Sequence, residues 1–367
     1  MDNGDSGTTL LVAAGGGGDA LASLLLSRQL SADSKVPVVA SYSWDRRILD
    51  PLPGPRSITD FGDVRQLTPH NAEVTSSSRL RSGGQSTLSL LAETVAAARF
   101  VLLDPHSGAV GIRRQIMELI RHFSFESVIL VDVGGDLVAT GSEDDLRSPL
   151  ADALALASLA DIPAPVHVAV AGPGLDGELS PSYVRSRCTS LGGNLWAHLD
   201  GSHVEPYFSA LAKHPSEATT LLAAAALGIA GKAEIRDNYD TVAVTNASAE
   251  IYVLSGSGAF AGNKLAQELT ATHSLAEAEA ATLAVCGRCE LVYERKAAAL
   301  PQVTTPAAEM QRRLQEYWLS AAARGITLAT FRRLAEVIKL PRYDPDLIRS
   351  IAGLHADKRL ALCRIDR

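Results

Sequence analysis

Short apolar runs alternate with segments of helical periodicity over the first half of the chain. The runs are apolar at nearly every position and end in glycine or polar residues. They span Thr9–Ala14, Val36–Ser41, Phe100–Leu103, Val128–Val133 and Val166–Ala171. Unbroken apolar runs are typical of strands that are covered on both faces. Each run is therefore predicted to be a buried strand.

The segments between these strands repeat apolar residues at the spacing of an amphipathic helix. The predicted helices span Asp19–Leu30, Leu88–Arg99, Val110–Phe123 and Pro149–Ala160. Strands that alternate with helices in this way form parallel sheets with helices on both faces. We therefore predict an α/β fold with a Rossmann-like, mostly parallel, doubly wound sheet.

The pattern changes in the second half of the chain. Ser216–Leu227 has the spacing of an alanine-rich helix, and Thr241–Thr245 and Glu250–Leu254 look like the two strands of a hairpin. From Leu275 onward the chain is predicted to be helical. A stretch rich in glycine and serine at residues 255–262 separates the two kinds of pattern.

The chain is therefore divided into three parts. We expect a flexible tail at residues 1–8, an α/β domain with a glycine-rich loop at 9–255, and a helical C-terminal region at 256–367. The C-terminal helices carry charged residues around an apolar stripe. They are expected to cover the sheet or to form the contact of a homo-oligomer.

Composition narrows the class of protein. The chain has 367 residues, a formal net charge of -7 and 46% hydrophobic residues, which excludes a disordered chain and a disulfide scaffold. The acidic balance argues against a nucleic-acid binder, which needs a basic surface. The first residues lack the features of a signal peptide, and no apolar run is long enough to span a membrane. With its cysteines expected to be reduced, the protein is predicted to be cytoplasmic and free of membrane contacts.

A glycine-rich loop lies between the first predicted strand and the first predicted helix. The candidate cofactor-binding residues in it are Gly15, Gly16, Gly17, Gly18 and Asp19. Glycine lets a ligand approach the backbone, and a helix N-terminus attracts a phosphate or pyrophosphate group. NAD(P) is the less favoured cofactor, because Ser41 stands where its acidic residue is expected. The alternative is a tight turn with Asp19 as the helix N-cap.

Three further predicted strands end in loops that carry acidic residues. Asp104 follows the third strand. Asp132 lies within the fourth strand, one residue before its end, and Asp136 follows that strand. Asp176 and Glu178 follow the fifth strand. In an open α/β sheet, ligands bind outside the carboxyl ends of the strands. All of these loops, together with the glycine-rich loop, are expected at that edge of the sheet.

These loops offer oxygen ligands and proton-transfer groups. The predicted ligands of Mg²⁺ or another divalent cation are Asp104, Asp136, Asp176 and Glu178, because hard cations prefer carboxylate oxygens. The predicted catalytic residues are Asp132, Asp136 and His106. A buried carboxylate or a histidine with a pKa near neutrality can transfer a proton in a reaction. The alternative is that the aspartates only cap turns and helices.

Cys286 and Cys289 form a C-x-x-C pair within a segment that is predicted to be helical. A zinc site would need a second pair, and a thioredoxin-type motif would follow a strand. Two thiols on or beneath a helix are the favoured interpretation, and a redox protein is a further hypothesis.

Several motifs are similar to those of a known family. They are VAAGGGGDAL, VDVGGDLVATGSE, RSPLADALALA, and GPGLDGELS followed by SEATTLLAAAALG. Through them the chain from Thr9 to Leu254 resembles an archaeal and actinobacterial family described as a domain of unknown function. The resemblance implies no activity. It marks Gly15–Asp19, Asp132–Asp136, Ser148–Asp152 and Gly172–Glu178 as motif positions.

Together these observations predict a small-molecule enzyme that acts on a phosphorylated sugar or a nucleotide-like substrate. Hydrolysis or group transfer is the expected reaction, and a specialised actinobacterial biosynthetic pathway is the expected context. The alternative is a non-catalytic protein that binds a nucleotide or dinucleotide. In both cases the expected partner is a small anionic molecule.

Overall fold

The computed structural model describes residues 8–30, 36–236, 240–301 and 305–365. The flexible tail predicted at residues 1–8 therefore lies outside the described residues except for Thr8. The hydroxyl of Thr8 donates a hydrogen bond to the carbonyl oxygen of Ser124 at 2.8 Å.

The strands are numbered in chain order over the described residues. They are β1 (Thr9–Ala13), β2 (Val38–Ser41), β3 (Phe61–Gly62), β4 (Arg65–Thr68), β5 (Asn71–Val74), β6 (Arg79–Leu80), β7 (Arg99–Leu102), β8 (Ser127–Val133), β9 (Val166–Ala171), β10 (Asn194–His198), β11 (Gly231–Ile235), β12 (Asp240–Val244), β13 (Glu250–Ser255), β14 (Leu328–Thr330) and β15 (Leu362–Arg364). The five strands predicted from apolar runs are present as β1, β2, β7, β8 and β9, with ends shifted by a few residues.

The α-helices of the described residues are numbered in the same way. They are α1 (Gly17–Leu30), α2 (Thr87–Thr94), α3 (Gly108–Phe123), α4 (Pro149–Ser158), α5 (Pro181–Ser190), α6 (Gly201–Val204), α7 (Phe208–Leu211), α8 (Glu217–Ala226), α9 (Gly256–Gly262), α10 (Lys264–Leu269), α11 (Leu275–Cys286), α12 (Glu290–Ala298), α13 (Ala307–Ala323), α14 (Phe331–Val337) and α15 (Pro345–Ala352). Among these described helices, none combines the length and the apolar character needed to cross a membrane.

The largest sheet has nine strands, in the order β10-β13-β9-β8-β1-β2-β7-β5-β4, within the described part of the chain. Its central strands, from β9 to β7, pair in parallel. The outer pairings on both sides are antiparallel. An α/β fold with a mixed sheet is therefore confirmed. The prediction of a mostly parallel sheet is not, because half of these pairings are antiparallel.

Side chains of the central strands alternate between two apolar cores, as strand geometry requires. In β1, Leu11 and Ala13 pack into the core formed with α1, α2 and α8. Leu10 and Val12 pack into the opposite core, formed with α3, α4 and α10. Both faces of the sheet are thus covered by helices, which explains why the predicted strands carry so few polar residues.

The predicted hairpin of residues 241–254 is wrong. Both strands exist, but β12 pairs with β11, and β13 lies between β9 and β10 in the nine-stranded sheet. Ile251 and Leu254 of β13 are buried in opposite cores, which a two-stranded hairpin could not provide. A 3-10 turn at Asn246–Ala249 carries the chain from one sheet to the other.

A four-stranded sheet in the order β12-β11-β14-β15 connects the end of the described chain to the α/β domain. β14 pairs in parallel with β11 and antiparallel with β15. The C-terminal region, predicted to be helical, therefore contributes two strands as well as α9 to α15. Helices α13, α14 and α15 surround a third apolar core that includes Phe331 and Ile348.

Candidate functional site

An acidic cleft lies at the carboxyl ends of β1, β8 and β9. At this edge β1 and β8 are neighbours, but α1 and α4, which follow them, lie on opposite faces of the sheet. A crevice between two such strands is where open α/β sheets bind ligands. We name it the carboxylate cleft after six carboxyl side chains that line it: Asp19, Asp132, Asp136, Asp152, Asp176 and Glu178.

The six carboxyls form two triads. In the first triad, ligand oxygens of Asp19, Asp132 and Asp152 lie within 4.8 Å of one another. The second triad, formed by Asp136, Asp176 and Glu178, meets the same limit. Oxygens bound about 2.1 Å from one Mg²⁺ ion lie about 3–4 Å apart. A small contraction of either triad would therefore create the geometry of a divalent-cation site.

Two glycines allow the carboxylates to approach the strand ends. A Cβ atom at Gly15 would lie 2.9 Å from Oδ2 of Asp19 and 3.3 Å from Oδ1 of Asp152. At Gly134, φ is +121° and a Cβ atom would lie 2.4 Å from Cγ of Asp176. Even alanine at these positions would displace a carboxylate, so the triads depend on glycine there.

Asp19 folds back from the first turn of α1 onto the strand ends. Its Oδ2 accepts the N–H of Gly15 at 2.6 Å, and its Oδ1 accepts the N–H of Val133 at 3.2 Å. A bound phosphate at this helix N-terminus would use such backbone N–H groups. The carboxylate of Asp19 therefore already occupies one donor that the predicted phosphate-binding loop would offer.

Close packing of helices accounts for other glycines of the loop. A Cβ atom at Gly17 would lie 1.9 Å from Oγ1 of Thr87, and one at Gly18 would lie 2.6 Å from Oγ of Ser216. Thr87 begins α2 and Ser216 caps α8. The glycine run thus lets α2 and α8 approach α1, whether or not a ligand contacts it.

Burial raises the pKa values of most carboxyls in the cleft. It raises the pKa of Asp19 to about 7, against the hydrogen bonds from Gly15 and Val133. Burial, followed by repulsion from neighbouring carboxylates, raises the pKa values of Asp132, Asp136 and Asp152 well above their usual range. Such a cluster cannot ionise fully unless a positive charge compensates it.

Glu178 is the exception, because its pKa is lowered. Burial acts to raise it, but Arg236 donates a hydrogen bond to Oε1 at 2.8 Å and stabilises the ionised form. The hydroxyl of Ser148 donates to the same oxygen at 2.7 Å, and the N–H of Arg147 donates to Oε2 at 2.5 Å. Glu178 is therefore an ionised carboxylate held against the start of α4.

Among the described residues, Asp136 has only carboxyl groups as neighbours of its buried Oδ1 atom. Asp136 is only 9% exposed, and no N–H or hydroxyl group of the described residues donates to its Oδ1. Its side chain instead faces the carboxyls of Asp176 and Glu178, with which it can share a proton. Buried polar atoms of native proteins nearly always have a partner. Asp136 lines the carboxylate cleft, so a bound cation could replace the proton that these three carboxyls share.

Asp104 and His106 do not join the cleft. Nδ1 of His106 lies 2.8 Å from Oδ1 of Asp104, and this hydrogen bond raises the pKa of the imidazole. Both residues follow β7, which β2 separates from β1 by about 10 Å of sheet. The structure thus brings the other three predicted metal ligands together and leaves Asp104 apart. It also places the predicted catalytic residue His106 outside the carboxylate cleft.

Cys286 and Cys289 lie at a turn between two helices and not within one helix. Cys286 ends α11, Gly287 adopts a left-handed conformation and Cys289 precedes α12. Burial raises the pKa of Cys286 to about 11 and that of Cys289 to about 12. Because the thiolate is the reactive form of cysteine, these pKa values weigh against the redox hypothesis.

Further polar residues of the cleft wall were not predicted from the sequence. The carboxylate of Glu290 accepts two backbone N–H groups at the start of α4, at 2.9 and 3.2 Å. His214 is 1% exposed, and burial lowers its pKa to about 3. Asp45 follows the carboxyl end of β2, and this position is a signal that can be seen in the sequence. No local pattern marks Glu290 or His214.

We expect the protein to lose stability in EDTA as the pH rises from about 4 to about 7. In that range Asp19 is held protonated in the folded chain, because burial raises its pKa from 3.8 to about 7. Burial also raises the pKa values of Glu290 to about 7 and of Asp45 to about 6. A carboxyl whose pKa is higher in the folded state stabilises the fold below its unfolded pKa. This contribution is lost as the pH rises through the folded pKa.

The lowered pKa values of His214 and of carboxyls such as Glu178 oppose this trend, because they favour the folded state as the pH rises. Carboxyls with lowered pKa values act mainly below about pH 5, where unfolded carboxyls still bind protons, so we expect the groups with raised pKa values to outweigh them. A difference of one pKa unit between the folded and unfolded states changes the free energy of unfolding by about 1.4 kcal/mol. A loss of this size should lower the melting temperature by several degrees. Thermal unfolding in a buffer series measures it, and the Asp19→Asn variant should show a smaller fall. A melting temperature that rises over this range would contradict the expectation.

The fold and the cleft define an α/β protein with an acidic site at the carboxyl edge of a mixed sheet. Residues 10–298 match the model of a family described as "Protein of unknown function (DUF1152)", and the chain belongs to that family. The matched region contains all six carboxyls of the two triads. Searches among curated proteins and solved structures found no match.

Proposed function

We propose that the protein is a divalent-cation-dependent enzyme that catalyses hydrolysis or group transfer on a small phosphorylated substrate. The observation that carries this proposal is the triad of Asp136, Asp176 and Glu178, in which no N–H or hydroxyl group of the described residues donates to the buried Oδ1 of Asp136. A phosphorylated sugar or a nucleotide-like molecule is the proposed substrate class.

The second triad is the proposed cation site. Asp136, Asp176 and Glu178 offer only oxygen donors, which suit Mg²⁺ or Mn²⁺. A bound ion would supply the positive charge that the cluster needs and would polarise a water molecule or a phosphoryl oxygen. The ion pair between Glu178 and Arg236 would keep one ligand ionised and in place.

The first triad is proposed to transfer protons. Burial raises the pKa values of Asp19, Asp132 and Asp152, so we propose that the three coupled carboxyls share protons, with one protonated beside one ionised. The protonated carboxyl gives its proton to the leaving oxygen, which departs with the electron pair of the broken bond. The ionised carboxyl accepts the proton of the attacking water or hydroxyl, as a general base.

The parallel centre of the sheet supports the finer proposal of a Rossmann-like arrangement. Its strand order, β7-β2-β1-β8-β9, is that of a doubly wound nucleotide-binding fold. This order also favours the alternative function, a non-catalytic protein with a nucleotide or dinucleotide on Gly15–Gly18. The carboxylate of Asp19 on the N–H of Gly15 weighs against that alternative.

Thermal unfolding of EDTA-treated protein with added Mg²⁺, Mn²⁺ or Ca²⁺ tests the cation site. A cation present at about 100 times its Kd should stabilise the fold by about 2.7 kcal/mol. The loaded protein is then incubated with a set of sugar phosphates and nucleotides, and the products are identified by mass spectrometry.

We expect stabilisation by a divalent cation, and turnover that EDTA abolishes. A nucleotide that stabilises the protein equally in EDTA, with no turnover, would favour the binding protein. If no divalent cation shifts the melting temperature, the proposed enzyme is ruled out.

A further inference from the structure

A second cavity opens onto the carboxylate cleft and has the opposite charge. Its described lining contains eight arginines and lysines and five acidic residues, whereas the lining of the carboxylate cleft contains ten acidic residues and three arginines. The same three arginines line both cavities: Arg46, Arg236 and Arg332. We name the second cavity the arginine cavity.

The charge difference between the two cavities would orient a ligand that is anionic at one end. Arginines attract the anionic end, whereas the carboxylates repel it. The bond next to the anionic group would then face the two carboxylate triads. The arginine cavity has an empty volume of ≈ 2360 Å³, including its open mouth, so a sugar- or nucleotide-sized molecule can enter.

Arg332, which lines both cavities, has donors that are held only by long ion pairs. Its guanidinium nitrogens lie 3.7 Å from a carboxylate oxygen of Glu217 and 3.5 Å from one of Glu336, which is long for a hydrogen bond. Its Nε atom is buried, and the described group that faces it is the Glu336 oxygen at 3.5 Å, an ion pair without hydrogen-bond geometry. A buried N–H group of this kind calls for an acceptor, and an anion at the junction would provide one.

Arg46 also lines both cavities and provides a second set of donors. It donates a hydrogen bond to the hydroxyl of Tyr293 and lies 3.6 Å from Glu294. Its side chain is 39% exposed, and these contacts use only some of the N–H donors of a guanidinium. Guanidinium groups bind phosphate through paired hydrogen bonds, and a tetrahedral phosphate has enough oxygens for both arginines.

One wall of the arginine cavity is apolar. Leu283 of α11 and Tyr293 of α12 line it with side chains that are 38% and 43% exposed. The organic part of a ligand can pack against this wall while its anionic group contacts the arginines. The cavity therefore suits an organic phosphate better than an inorganic ion alone.

From these observations we infer that the arginine cavity is the phosphate subsite of the protein. It binds an organic phosphate ester or diphosphate through Arg46 and Arg332, and it presents the adjoining bond to the carboxylate cleft. This inference rests on the proposed function, because it assigns the substrate phosphate of the same site. It places that phosphate in the arginine cavity and not on the glycine-rich loop predicted from the sequence.

Isothermal titration of the full chain with inorganic pyrophosphate, in EDTA, tests the subsite without any metal ion. The variants are Arg332→Gln and Arg46→Gln, and Arg312→Gln is the matched control. Arg312 is exposed on α13, where it pairs with Glu309 and Glu316 outside both cavities. Each cavity variant should bind pyrophosphate about 10-fold or more weakly, since one charge-assisted hydrogen bond is lost. The control should bind like the unmodified protein.

Unfolding curves show whether each variant is folded. If Arg332→Gln does not fold, the affinity of Arg46→Gln for pyrophosphate decides the test. Equal pyrophosphate affinity in both folded cavity variants, or tighter binding of acetate than of pyrophosphate, would overturn the inference. Arginine-dependent binding in EDTA without any cation effect would keep the subsite and reject the proposed enzyme. Cation binding without pyrophosphate binding would reject the subsite alone.

Discussion

Replacing Asp136 by asparagine should weaken Mn²⁺ binding by more than about 100-fold. Mutation of a residue that only hydrogen-bonds to a metal ligand lowers metal affinity by about 10–100-fold, and Asp136 is a proposed ligand itself. Asparagine keeps the size of the side chain but removes its charge and one oxygen ligand. Burial and the neighbouring carboxylates Asp176 and Glu178 already raise the pKa of Asp136. The free energy of unfolding in EDTA should therefore not fall. Calorimetric titration with Mn²⁺ and urea unfolding measure the two quantities.

Asp346→Asn is the matched control for this prediction. Asp346 is exposed in the first turn of α15 and lies outside the carboxylate cleft. The same loss of charge there should leave Mn²⁺ affinity and turnover unchanged. If folded Asp136→Asn protein binds Mn²⁺ as tightly as the unmodified protein, Asp136 is not a ligand and the proposal loses its main support.

Glu234→Ala should lower the free energy of unfolding by about 3–5 kcal/mol, the usual cost of breaking a buried ion pair. Glu234 lies in β11 with no exposed surface. It accepts a hydrogen bond from Nε of Arg333 at 2.8 Å and another from Arg324. Removing the carboxylate leaves two neighbouring guanidinium groups without the acceptor that they share. Urea unfolding followed by circular dichroism measures the loss.

Glu309→Ala is the control for Glu234→Ala. Glu309 also pairs with two arginines, Arg312 at 2.7 Å and Arg313 at 2.8 Å, but on the solvent side of α13. Exposed ion pairs contribute little to stability because water solvates the separated charges. A Glu234→Ala variant that is no less stable than this control would show that the buried group is not needed to hold the four-stranded sheet.

The parallel centre of the sheet could be predicted because its strands are covered on both faces. Burial of both faces requires unbroken apolar runs, and such runs are visible in the sequence. The antiparallel flanks gave no such signal. In β10, for example, Leu195 and Trp196 are 47% and 38% exposed, so the strand follows neither an apolar run nor a simple alternation. Its position depends on pairing with β13, which lies far along the chain.

Most of the acidic cleft could be predicted by one rule, that carboxyl ends of parallel strands share an edge. The rule found Asp132, Asp136, Asp176 and Glu178. It failed to separate Asp104, because sequence alone does not say how many strands lie between β7 and β1. It could not find Glu290 or Arg332, because helices far along the chain bring them to the site and no local pattern marks them.

The parallel pairing of β11 with β14 also sets an order of events during translation. β11 ends at Ile235, but β14 begins only at Leu328, so the four-stranded sheet cannot form until the ribosome has made the intervening chain. The two carboxylate triads have been synthesised by residue 178, whereas Glu217, Glu290 and Glu294 of the cleft lining come later and Arg332 follows β14. At about 5–20 residues per second, synthesis from residue 178 to Arg332 lasts roughly 8–30 s. A nascent chain can therefore contain both carboxylate triads well before the last arginine of the neighbouring wall exists.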